Sequence, residues 1–164
     1  MISYMYLLPL LAINNSGLER AKSILQASNQ QIAPVSVNIV SPMVFPTLYQ
    51  TAATKEGAFC KANGKKNKRN AKRSLCPKMK GYSAEFEISG KPKTYVSIQL
   101  DADEYKQGLK FSIDSKTTKL EQRVRIKKDG FGTFFAGGVI TLQDTQATSS
   151  GEYAFSLYVT ALYQ

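Results

Sequence analysis

Cys60 and Cys76 are the only cysteines in the 164-residue chain, and the chain contains no histidine. A Ser-His-Asp or Cys-His nucleophile therefore cannot be assembled. Two thiolates also fall short of the four Cys or His ligands of a structural zinc site. A serine–lysine pair would be the remaining route to covalent chemistry, but no Ser-x-x-Lys spacing occurs in a supporting context. No enzyme, no cofactor and no metal are expected. In an exported protein the two thiols would pair, and a Cys60–Cys76 disulfide would close a loop of about 17 residues. Chain-entropy models value that closure at roughly 3 kcal/mol.

Most of the charge lies between the same two cysteines. The formal net charge is +10, and "KANGKKNKRNAKRSLCPKMK" at 61–80 carries nine basic residues and no acid. They are Lys61, Lys65, Lys66, Lys68, Arg69, Lys72, Arg73, Lys78 and Lys80; the rest of the chain is close to neutral. The low apolar content and absent period read as an exposed, mobile excursion, the disulfide loop 60–76. Its chemistry suits an anionic partner such as a polysaccharide, nucleic acid or phospholipid surface. It equally suits a solvated loop that only keeps the surface soluble. No aromatic residue is interleaved with the lysines, which argues against single-stranded nucleic acid, and no specific nucleic-acid partner is expected.

The elements that would carry these residues are strands. "QIAPVSVNIVSP" alternates Ala33, Val35, Val37 and Ile39 with polar residues, and "SAEFEIS" alternates Ala84, Phe86 and Ile88 with Glu85 and Glu87. "TYVSIQL" sets Val96, Ile98 and Leu100 against Tyr95, Ser97 and Gln99. "LKFSI" offers Leu109, Phe111 and Ile113; "KLEQRVRIKK" offers Leu120, Val124 and Ile126. "GFGTFFAGGVITL" reads as two strands around a Gly137-Gly138 turn or bulge. The last fourteen residues, "GEYAFSLYVTALYQ", place Tyr153, Phe155, Leu157, Val159, Ala161 and Tyr163 on one face. With no internal helix and no repeat, the pattern predicts one all-β domain, an immunoglobulin-like β-sandwich.

The N-terminus bears on compartment. "MISYMYLLPLLAI" is an apolar run of signal-peptide length and too short to span a membrane. Ala12 and Ala27 are the positions before a potential cut, although the basic n-region is missing. An ordinary N-terminal helix, with Leu18, Ala21, Ile24 and Leu25 on one side, is the competing reading. Export is the expectation, because a leader and a cysteine pair agree. The expected organisation is a leader over 1–27, an N-terminal extension over 28–40 and the sandwich domain over 41–164.

The stretch "GFGTFFAGGVITLQDTQATSSGEYAFSLYVTALYQ" resembles the C-terminal third of bacterial fimbrial subunits. The likeness is to the archaic, spore-coat-U-like branch of the chaperone–usher pathway and to a related fimbrial-like domain family. Pilins of this kind have a glycine fourteen residues from the end and a penultimate tyrosine; here those are Gly151 and Tyr163. "VNIVSPMVFPT" resembles the family's first strand, and "AEFEISGKPKTYVSIQL" its middle pair. The likeness covers roughly 31–50 and 83–164. The basic Cys60–Cys76 insertion has no counterpart in it.

The resemblance implies a sandwich missing its last strand and completed by a donor strand from a neighbouring subunit. The groove and chaperone-pairing strand would be Gly151, Tyr153, Phe155, Leu157, Val159, Ala161 and Tyr163. The donor would be Ala33, Val35, Val37 and Ile39, in competition with their being the domain's own first strand. Implied partners are identical or related subunits in a head-to-tail polymer, a periplasmic chaperone and an outer-membrane usher. The chain would pass through the periplasm to a cell-surface fimbria serving adhesion or biofilm formation. The alternative is a self-contained exported sandwich that binds an anionic surface polymer through its basic loop.

Overall fold

Period-two alternation of apolar residues dominates the chain, and strands are what form. The computed structural model describes residues 34–70, 72–148 and 151–164. The leader over 1–27 and residues 28–33 of the extension, Ala33 among them, lie outside them. Among the described residues there are ten strands and no helix. In chain order they are β1 (Ser36–Ser41), β2 (Phe59–Ala62), β3 (Ala84–Ser89), β4 (Tyr95–Asp101), β5 (Asp103–Lys106), β6 (Leu109–Ile113), β7 (Glu121–Arg125), β8 (Phe131–Ala136), β9 (Gly138–Leu142) and β10 (Tyr158–Tyr163). They form three antiparallel sheets with orders β1-β3-β8, β10-β4-β7 and β2-β9-β6-β5, the layered arrangement of a β-sandwich.

The inward rows meet in one core. Phe86 and Ile88 of β3, Val96, Ile98 and Leu100 of β4, and Leu109 and Phe111 of β6 are all buried, as are Phe134 of β8 and Ile140 of β9. Phe86 and Phe134 are directly opposite across the β3–β8 ladder, and their rings stack 4.7 Å apart. Of the apolar residues read into the β7 region, Val124 and Ile126 are buried. Leu120 is exposed and contributes only its carbonyl, which accepts from the Leu100 N–H at 2.9 Å.

Two extended runs pass from one sheet to another through a single residue. Ala102 separates β4 from β5, and Gly137 separates β8 from β9. Gly137-Gly138 is therefore a sheet-to-sheet corner rather than a hairpin turn. Gly137 is held there by the Thr118 hydroxyl, which accepts from its N–H, and by the Asp114 N–H, which donates to its carbonyl. A Cβ on Gly138 would lie 2.7 Å from the Phe111 ring and 2.5 Å from Met43 Sδ, so close packing demands glycine. The β5–β6 hairpin turns on Gln107-Gly108, both at positive φ as a two-residue primed turn requires.

Candidate functional site: an open apolar groove and a clamped basic ribbon

The C-terminal run does not pair along its full length. β10 pairs with β4 from Tyr158 to Tyr163, but 151–157 belongs to no ladder. The cause lies in the partner. Continued pairing would need a neighbour opposite Asp103 and beyond, and there the chain has turned through Ala102 to pair with β6 instead. Side chains of β5 bridge the gap. Ser156 N–H donates to Glu104 Oε2 at 2.6 Å, and Lys106 Nζ donates to the Ala154 carbonyl at 2.7 Å. Glu104 and Lys106 are also ion-paired with each other at 2.6 Å. The hydrogen bond from Lys106, followed by that from the Ser156 amide, holds the Glu104 carboxyl below its ordinary value.

The inward alternation nevertheless runs unbroken from 153 to 163. Tyr153, Phe155, Leu157, Val159, Ala161 and Tyr163 all pack against the core, and all remain only half-buried. Gly151 precedes this row and is exposed. Facing 151–157 is the segment 42–50, anchored by Val44, which exchanges backbone hydrogen bonds with Tyr82, and by Tyr49, whose N–H donates to Leu75. Between these two walls lies an apolar groove of about 1200 Å³, floored by Phe86, Leu109, Phe111 and Ile140. Phe111 holds Phe45 on one wall and Phe155 on the other at ring distances of 6.0 and 5.5 Å. Beyond the groove β1 and β10, each an outer strand of its own sheet, meet near Gly90. There the Tyr163 hydroxyl accepts from the Lys91 N–H at 2.8 Å.

Of the residues expected to be donated, Val35 and Val37 are half-buried against this chain's own core. Val37 and Ile39 sit in β1 opposite Ile88 and Phe86 of β3, and Ile39 is 67% exposed. The structure thus brings 36–41 into the domain as its first strand, next to the groove wall that follows it.

Cys60 and Cys76 form a disulfide, both fully buried. The segment that reads as an exposed excursion begins in the edge strand of a sheet and is tied back to itself farther on by isolated bridges such as Phe59–Ser74 and Lys66–Lys80. β2, with Cys60 and Ala62 facing inward, pairs with β9. Asn67, 8% exposed, accepts from the Lys61 N–H at 2.8 Å through Oδ1, and its amide donates to the Lys61 and Met79 carbonyls. Lys61 itself turns inward to Asp114 at 2.8 Å, where Asn63 donates to the second carboxylate oxygen. Burial pushes the Asp114 carboxyl up, but the hydrogen bonds from Lys61 and Asn63 outweigh it and hold the group below its ordinary value. The other eight basic residues, Lys65, Lys66, Lys68, Arg69, Lys72, Arg73, Lys78 and Lys80, are exposed. Lys80 lies 4.9 Å over the ring of Tyr82.

Sequence reasoning missed β2, the Asn67 clamp and the Lys61–Asp114 pair. No local signal marks them, because each joins residues that the chain's own pattern treats as loop. Among the described residues, no three His, Cys, Asp or Glu side chains gather to hold a metal, and no helix is long and apolar enough to cross a membrane. The described residues are all-β, with three antiparallel sheets and a buried disulfide. No family model matches the chain, nor does any curated protein or solved structure.

Proposed function

We propose that this chain is a structural subunit of a surface pilus, an incomplete immunoglobulin-like sandwich that polymerises by accepting a strand from a neighbour. One observation carries the reading: an apolar groove lies open beside a continuous inward row, Tyr153 to Tyr163, that is only half-covered. A two-sided apolar gap of this length is an aggregation liability unless something fills it. An extended segment with apolar residues at every second position would fill it, with main-chain bonds to the free edge giving strength and the alternate side chains giving register. The disulfide agrees with an exported life, in the periplasm and then on the cell surface. A chaperone would guard the groove in transit and an usher would mediate the exchange.

The donor is the N-terminal segment 31–40. Donation of all of it would break the pairing of β1 with β3, whereas donation of residues ahead of Ser36 would leave β1 in place. Each aliphatic side chain fully buried on insertion contributes about 1.5–3 kcal/mol. The test is a laddering assay of the full chain on SDS gels with and without boiling. A heat-sensitive ladder is expected, and it should be lost in Val35→Asp/Val37→Asp. Because Val37 also serves β1, a labelled 28–41 peptide offered to the monomer supplies a second readout, and saturable binding blocked by Phe155→Glu is expected. A monodisperse monomer that neither ladders nor binds the peptide would overturn the proposal.

A further inference from the structure

None of the ribbon's basic side chains lines the groove. Between Lys65 and Lys80 the chain presents eight exposed cations, and 61–80 holds no acid. Among the described residues none of the eight has an ion-pair partner. Lys66 and Lys80 are even bridge partners, so like charges face each other across an antiparallel contact, an arrangement that costs stability. The disulfide, the Asn67 hydrogen bonds and the inward Lys61–Asp114 pair fix the frame that displays them. Ordering has therefore already been met in folding, which favours binding.

We propose that this ribbon is a binding face for an anionic polysaccharide of the sulfated or uronate type, laid along it as an extended polyanion. None of the eight lines either cavity found among the described residues, which suits a repeating polymer laid on the surface rather than an enclosed small anion. Of the ribbon's larger apolar residues, Leu75 and Cys76 are buried and Met79 packs partly against the core, so no exposed apolar row is offered to a bilayer. The ribbon contains no aromatic residue to stack bases. A disulfide-bonded frame also belongs to compartments where surface polysaccharides, rather than nucleic acids, are the abundant polyanions. This inference stands apart from the groove and does not depend on polymerisation.

The test measures binding of the full, oxidised chain to heparin, to alginate and to a short DNA duplex across salt concentration. If about four cations make contact, raising salt from roughly 50 to 200 mM should weaken polysaccharide binding on the order of 100-fold, by the counterion-release scaling established for nucleic acids. Replacing Lys65, Lys66, Lys68 and Lys80 together with Gln should lower affinity at least about tenfold at fixed salt. The same charge change at Lys91, Lys119, Lys127 and Lys128 should have little effect. All eight are exposed, so both variants should keep the native circular dichroism. Three results would each overturn the proposal: equal losses in both variants, no binding of either polysaccharide near physiological salt, or tighter binding of the DNA duplex.

Discussion

Reduction of the Cys60–Cys76 disulfide isolates what ties the basic ribbon to the sandwich. The bridge joins residues 16 apart in sequence. Releasing a loop of that length restores unfolded-state entropy equivalent to about 3 kcal/mol at 25 °C. Small domains have only about 5–15 kcal/mol in total. With a urea dependence near 2 kcal/mol per molar, the unfolding midpoint should fall by roughly 1.5 M. The chain has nine tyrosines and no tryptophan, so tyrosine fluorescence and far-UV circular dichroism are the natural probes, recorded with and without a strong thiol reductant. The reduced protein should show an equal or slightly steeper slope, since its unfolded chain is no longer held compact by the cross-link. Replacing both buried cysteines with alanine should cost more, because the lost sulfurs leave space in the core. A midpoint shift below about 0.3 M would refute the reasoning, since β2 and the Asn67 bonds would then hold the segment alone.

Asp114 contributes through a carboxyl held below its ordinary value, so its stabilisation is present above the unfolded carboxylate pKa and is lost as pH falls through the lower folded one. Acid titration of stability should therefore be flatter in Asp114→Asn than in the native chain. Gly138→Ala places a methyl against Phe111 and Met43 and should cost about 1–3 kcal/mol in thermal unfolding. Glu104→Ala removes the acceptor of the Ser156 N–H, so that amide should exchange with solvent markedly faster while amides of β4 stay protected. Phe134→Ala removes half of the buried ring stack and should cost about 3–5 kcal/mol by urea unfolding.

Alternating apolar residues made most of the architecture legible. β3, β4 and β6 coincide closely with their alternating stretches, because one face of each is buried and the other is not. The pattern could not show where pairing stops. Tyr153, Phe155 and Leu157 alternate as cleanly as Val159 and Tyr163, yet the strand that should pair with them leaves at Ala102, a decision made by β6 some forty residues earlier. Gly137 and Gly138 carry the letters of a tight turn and become a corner because Phe111, Met43 and Phe45 occupy the space beside them. The ribbon was hidden for a different reason. Asn, Lys and Gly have loop preferences, and only long-range partners, Asp114 and β9, convert 59–67 into fixed structure.

The one-residue joints at Ala102 and Gly137 have a mechanical consequence. Layers built from separate strands can peel apart one at a time. Here two continuous backbone runs are each stitched into two sheets, so tension on either run is transmitted across the joint into a second set of ladder bonds. The layers should therefore yield together rather than in sequence, and under a stretching force the domain should rupture in one step. The unpaired stretch at 151–157 lies outside that weave and can change its neighbour without unravelling the rest.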